Sequence, residues 1–352
     1  MIIKNYLKSR IIISTACLVF AIVTIIILYK ISGAPNTHKN GFVRQLISNP
    51  SKNGTYFRHL SSTNFYIAGV TPDQIYLTEY NHPSEILVCN ADLSSIHHFK
   101  IPVTGEERNI HIRIDSPFVY AVNSANTTIT IYKMKHDELS KYRTNNLHTM
   151  NFDLVAAVSP GSFILRAADS NKYFLAKYIN GADPKKVNVL EKQLDGFLCE
   201  DGILEFDPHL SRAFYLYYYR NQFICFDSNL NLLYKNNTID TNVHVKLTVA
   251  QSGSIAFNTM SSPTKAINEK LCITSKFLLI ESLLLGDNED RLYFTKSSAI
   301  DAYNINDGKY QFSFYMSDFD NSKIREFKLL NKKTLVALQG EYILIYPVGI
   351  NL

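Results

Sequence analysis

Six two-strand phrases recur along this chain, and their spacing limits what it can fold into more than any other feature. The first strand of a phrase is a short apolar run such as 74–78 (QIYLT), 118–122 (FVYAV), 162–166 (SFILR) or 334–338 (TLVAL). A polar turn follows, and then a second strand: 86–89, 129–132, 175–178, 223–226, 300–303 or 343–346. These end on Cys89, Tyr132, Tyr178, Phe226, Tyr303 and Tyr346, at steps of 43, 46, 48, 77 and 43 residues. No long amphipathic helix interrupts the pattern after residue 60. A period of about 40–50 residues with four short strands per unit marks a β-propeller. Paired β-sandwiches also carry short, evenly spaced strands, but they do not repeat whole two-strand phrases. The step of 77 reads as one unit plus an insertion near 238–265, with a hairpin expected from 245–249 and 254–257. The fold class is therefore all-β, a six-bladed propeller; a count of seven follows if that hairpin is a degenerate blade.

Two further features fit a closed ring. Only six residues follow Tyr346, too few for a fourth strand in the last blade, so 55–60 (TYFRHL) is expected to supply it. Closure by both chain ends would cover an exposed edge. The run 214–220 (FYLYYYR) is apolar or aromatic on both faces, as a strand held between two neighbouring blades requires.

Ahead of the repeats, Ile11 to Leu28 holds 18 residues without a charge, twelve of them Ile, Leu, Val or Phe. At about 1.5 Å per residue such a helix spans about 27 Å, close to the hydrocarbon thickness of a bilayer. The expected organisation is a cytoplasmic tail at 1–10, a transmembrane signal anchor at 11–29, a polar linker at 30–52 and the propeller at 53–352. The competing reading is a cleaved signal peptide, for which Ser32-Gly33-Ala34 is the candidate site. Lys4, Lys8 and Arg10 crowd the N-terminus, which places it inside and the propeller outside, in the periplasm.

The net charge of +5 does not indicate nucleic-acid binding. Lys4, Lys8, Arg10, Lys30, Lys39 and Arg44 account for more than all of it, with no acid among the first 44 residues. The folded domain thus lacks the positive field that a phosphate backbone needs.

Motifs for chemistry are scarce. Cys89, Cys199, Cys225 and Cys272 are dispersed, with no C-x-x-C pair, and are expected to be free thiols. His97 and His98 are adjacent in a strand and point to opposite faces. Tyr303 and Ile305 break the ligand alternation of a calcium loop at 301–308, and Asn306-Asp307-Gly308 reads as a hairpin turn. The acidic loop 287–290 (DNED) reads as a solvated turn or a surface calcium loop. The chain has no Trp, which counts against sugar-binding and quinoprotein propellers. The six strands expected to be innermost are 65–68, 110–114, 154–157, 203–206, 271–274 and 325–328. Channel candidates on them are His111, Arg113, Glu205, Arg325 and Glu326. No catalytic residue, metal site or cofactor is expected.

The segments 298–315 (SAIDAYNINDGKYQFSFY), 325–327 (REF) and 337–346 (ALQGEYILIY) resemble the membrane-anchored or exported six-bladed propellers of Bacteroidota, within the TolB-like group. The resemblance covers the last two units best. It implies the fold, and binding or assembly roles in place of a defined activity. Two functions are carried forward. One is a non-catalytic binding or scaffold module, anchored in the membrane and meeting a protein partner at the propeller face. The other is a propeller hydrolase or lactonase with a metal in the central channel.

Overall fold

The computed structural model describes residues 2–32, 39–47, 56–103, 106–135, 138–148, 150–169, 172–193, 198–245, 249–252, 257–260 and 265–352. The chain divides into two units, Met1–Asn40 and Gly41–Leu352. The first is the helix α1 (Ile2–Ser32). Its side chains are described over 13–28, where every residue except Thr24 is exposed. The Thr24 hydroxyl donates to the Phe20 carbonyl at 2.8 Å, which hides the polar group within the helix. Among the described residues no helix is long and apolar enough to cross a membrane.

The second unit is a six-bladed propeller of four-stranded antiparallel sheets. After the short strand β1 (Tyr56–His59), blade 1 comprises β2 (Phe65–Val70), β3 (Gln74–Glu79), β4 (Glu85–Asn90) and β5 (Ile96–Lys100). Blade 2 comprises β6 (Ile110–Asp115), β7 (Phe118–Asn123), β8 (Thr128–Lys135) and β9 (Glu138–Asn146). Blade 3 holds β10 (Phe152–Ser159), β11 (Ser162–Asp169), β12 (Lys172–Ile179) and β13 (Lys185–Val187). In blade 4 the strands are β14 (Gly202–Asp207), β15 (Arg212–Tyr217), β16 (Gln222–Asp227) and β17 (Leu232–Asn237). The hairpin β18 (Val249–Ser252) and β19 (Phe257–Met260) forms its own two-stranded sheet, so the insertion is not a seventh blade. Its strands lie a few residues later than the sequence suggests, and 246–248 and 253–256 fall outside the described residues. Blade 5 follows with β20 (Asn268–Ile273), β21 (Phe277–Ser282), the short helix α2 (Arg291–Thr295), β22 (Ser297–Asn304) and β23 (Tyr310–Ser317).

Blade 6 has β24 (Ile324–Asn331), β25 (Thr334–Gln339) and β26 (Tyr342–Pro347), and β1 completes it. Tyr56 pairs with Ile345 and His59 with Tyr342, so the N-terminal strand closes the ring as the sequence arithmetic requires. The six strands expected to be innermost are β2, β6, β10, β14, β20 and β24. Among the described residues the apolar core falls into six clusters, each at the seam between two neighbouring blades. The aromatic strand β15 is buried on both faces, with Phe214, Tyr215, Leu216 and Tyr217 all at 0% exposure. Gly69 is required where blades 1 and 2 meet, since a Cβ there would lie 2.2 Å from the Ile114 carbonyl oxygen. Asn306-Asp307-Gly308 makes the expected turn between β22 and β23, with Gly308 at φ +70° and its N–H donating to the Asn304 carbonyl at 2.8 Å.

The segment expected to be linker behaves differently over 41–47. It straps onto blade 5. Arg44 is 2% exposed; its Nε donates to Asp301 at 2.7 Å, its Nη1 to the Leu284 carbonyl at 2.9 Å, and it pairs with Glu289. The Ser313 N–H donates to the Gln45 carbonyl and the Ile47 N–H to the Ser313 carbonyl, each at 2.9 Å. Asn288 and Arg44 exchange two bonds at 3.0 and 2.9 Å, and Asp287 accepts from the Gly41 N–H. The acidic loop is therefore the receptor for the strap. Burial opposes the charge on Arg44, but Asp301 and Glu289 more than offset it and hold the guanidinium protonated.

Candidate functional site in the central channel

A channel of about 600 Å³ runs between the innermost strands and is lined by His111, Arg113, Glu205, Arg325 and Glu326. All five sequence candidates therefore converge on one site. Their positions follow from strand alternation. On β6 the exposure pattern alternates, so Ile110, Ile112 and Ile114 enter the blade core while His111 and Arg113 face the channel. On β24 the pairing with β25 shifts register between Ile324 and Glu326. That irregularity turns Arg325 and Glu326 to the channel side together, which strict alternation would forbid.

The middle of the channel is a charge-compensated bridge. Glu205 on β14 accepts from Arg113 Nη1 at 3.1 Å and Nη2 at 3.2 Å. It also accepts from Lys328 Nζ at 2.9 Å. One carboxylate thus joins blades 2, 4 and 6 across the channel. Burial works against its charge, yet Arg113 and Lys328 hold the carboxyl down at about 2. Lys328 is not among the residues that the sequence singles out; its place on an innermost strand, two residues after Glu326, is the signal that marks it. Burial pushes the Glu326 carboxyl up, and Lys328 and the Ile67 N–H, which donates to it at 2.8 Å, oppose the shift.

At the end where the innermost strands begin, aromatic rings gather. The Tyr66 ring stacks on His111 at 4.5 Å with an interplanar angle of 15°. It lies 4.7 Å and 33° from Tyr80. The Tyr66 hydroxyl oxygen accepts from the Ile112 N–H at 2.8 Å, which fixes that ring between blades 1 and 2. Burial first, and then the charge of Arg113, lowers the His111 imidazole to about 4, so it is neutral near pH 7. Arg325 donates to the Phe65 carbonyl at 3.0 Å and the Gly340 carbonyl at 3.1 Å, and forms no salt bridge with a described residue. Tyr66 stands on a strand recognised as innermost. Tyr80 follows β3 in a turn, and nothing local in the sequence marks it.

Asp115, Asp207 and His209 line the channel at the ends of β6 and β14. Burial raises the Asp115 carboxyl; His209 opposes and Asp207 adds to that shift. Among the described residues no group of three His, Cys, Asp or Glu side chains is placed to hold a metal ion. The Cys272 thiol also lines the channel, but burial pushes it up to about 12, far from the thiolate that nucleophilic chemistry needs. Cys89, Cys199, Cys225 and Cys272 are buried thiols outside any disulfide. Cys199 lies in a single 3-10 turn, 198–200, before β14, and not on a strand of that blade.

No family profile matches the chain, nor does any curated protein. Solved structures do. A member of the DUF4221 family from Bacteroides vulgatus superposes with a TM-score of 0.52 at 10% identity, over 87% of this chain and 98% of that one. The likeness is one of fold. A catalytically inactive virginiamycin B lyase from Staphylococcus aureus, with quinupristin, gives a TM-score of 0.47 at 10% identity over 84% of this chain and 99% of that one. A luciferin-regenerating enzyme gives 0.47 at 9% over 85% and 97%. At these identities neither comparison bears on activity.

Proposed function

We propose that this protein is a membrane-anchored, extracytoplasmic binding module whose propeller takes its ligand at the aromatic mouth of the central channel. The observation that carries the binding reading is the Arg113–Glu205–Lys328 bridge. Hydrolysis at a channel metal calls for carboxylates free to converge on an ion. Here the central carboxylate is committed to two cations, and Glu326 accepts from a backbone N–H. The mouth, by contrast, offers ring faces and polar groups to an incoming molecule. The anchor reading rests on the uncharged run from Ile11 to Leu28 and the basic residues ahead of it.

Two experiments test these statements. The full chain should sediment with membranes and resist extraction by high salt and by carbonate, and protease added to spheroplasts should digest the propeller. Release by salt alone would remove the anchor. Lactone and aryl-ester substrates should show no turnover with divalent metals. Metal-dependent hydrolysis that disappears in Glu205→Gln would replace the binding module with the hydrolase.

A further inference from the structure

Three rings pack together at the channel mouth, His111 nearly parallel to Tyr66 at 15° and Tyr80 tilted from it by 33°. Tyr66 is the buried base, at 3% exposure. Tyr80, 56% exposed, and His111 sit against it, 6.4 Å apart with an interplanar angle of 28°. Tyr80 and His111 therefore present neighbouring ring faces on a fixed support. The Tyr80 hydroxyl and both His111 ring nitrogens form no hydrogen bond with any described residue. Because burial keeps His111 neutral, the platform is an uncharged π surface.

The charges beside it are unequal. Arg113, Arg325 and Lys328 line the channel with Glu205 and Glu326; Lys270 and Glu269 also line it but pair with each other at 2.7 Å, and Asp115 and Asp207 lie at the far ends of β6 and β14. Glu205 is fully ionised within its bridge, while burial pushes Glu326 toward its neutral form. Arg325 is satisfied by two backbone carbonyls, which leave its charge uncompensated by any carboxylate salt bridge with a described residue. A cationic ligand would meet repulsion here. A neutral saturated ring would gain little from two flat faces.

We propose that the mouth binds a planar aromatic carboxylate, with its ring on Tyr80 and His111 and its carboxylate turned toward Arg325. This names the ligand class for the binding reading above and rests on it. Stacking supplies preference for a flat ring, and the arginine supplies preference for the acid.

Isothermal titration of the full chain in detergent micelles tests the pairing with three matched probes. These are indole-3-carboxylate, its uncharged carboxamide, and cyclohexanecarboxylate. Indole-3-carboxylate should bind with a Kd below about 1 mM, and at least about tenfold more tightly than either control. Tyr80→Ala, at an exposed position, should weaken it about tenfold, and Tyr80→Phe should not. Arg325→Gln should bring the acid and the carboxamide to equal affinity; if that variant does not fold, the wild-type comparison of acid with carboxamide decides the same point. Equal binding of acid and carboxamide, equal binding of the aromatic and saturated acids, indifference to Tyr80→Ala, or no heat at all would each overturn the ligand class. The binding reading itself falls only to metal-dependent turnover, so the two failures are distinguishable.

Discussion

Glu205 shows how a single residue can serve the ring. Its carboxylate is 15% exposed and its partners Arg113 and Lys328 are 33% and 26% exposed, so the bridge lies between a surface pair and a buried one. Glu205→Gln leaves two cations facing each other, and a loss of about 2 kcal/mol is expected, between the ~1 kcal/mol of exposed pairs and the ~3–5 kcal/mol of buried ones. The carboxyl ionises at its ordinary 4.5 in the unfolded chain and at about 2 in the fold. Its contribution is therefore complete above pH 4.5 and is lost as the pH falls from 4.5 through 2. His111 acts in the window above: held neutral down to about 4 against an ordinary 6.5, it costs stability as the pH falls from 6.5 to 4. Denaturant melts across pH 2–7 check both. The Glu205→Gln curve should be flatter than wild type below pH 4.5 and parallel to it between 4.5 and 6.5. Parallel curves throughout would show that the bridge contributes nothing. Of this site the sequence revealed the channel-facing side chains on β6 and β14, because alternation on a strand is local. It named Arg325 and Glu326 too, but not the means by which adjacent residues both reach the channel, because the register shift between Ile324 and Glu326 belongs to the pairing of β24 with β25.

At the scale of elements, two N-terminal segments hold the propeller together in different ways. β1 gives blade 6 its fourth strand, and its loss would open the β26 edge. The strap 41–47 carries Arg44 into a site formed by Asp301 and Glu289, all three at 0–1% side-chain exposure. Removing the strap leaves two buried acids without their cation, a cost of about 3–5 kcal/mol. Three chains beginning at Gly41, Lys52 and Ser61 separate these contributions. The chain from Gly41 should melt highest, the chain from Lys52 roughly 5–10 °C lower, and the chain from Ser61 lower still or not fold. Equal melting of the first two would reduce the strap to a surface contact. The polar residues near 41–47 read as linker because Asp301 lies 257 positions away in sequence, beyond any local pattern.

On the scale of the whole propeller unit the core is a ring of six seams between blades, and its thiols report on that packing. Cys89 is at 0% exposure, Cys199 at 2%, Cys225 at 0% and Cys272 at 2%. Burial pushes Cys89 and Cys225 up to about 11 and Cys272 to about 12. In the folded domain these four should resist a thiol-directed mass tag at pH 8 and react in full under denaturant without reductant. Tags missing from a pair after denaturation would mean a disulfide and a different path for the chain between blades 3 and 4. Rapid labelling of the native state would mean that the seams open.

The recurrence of strand phrases by itself determined the propeller architecture and its closure by 55–60, because each blade must bury the same two faces and so repeats the same pattern; the choice of six blades over seven was made by the tertiary structure, where the inserted hairpin pairs only with itself. The recurrence also placed six innermost strands correctly, and with them five residues of the channel. Tertiary structure alone decided which charges compensate one another, since Glu205, Arg113 and Lys328 come from three non-adjacent blades. It alone set Tyr80 from a turn beside His111 on the next blade, and it converted a polar stretch into a strap. Periodicity records how each strand faces its own sheet; electrostatic partners are set by how the sheets close around the channel, and that information is spread over the whole ring.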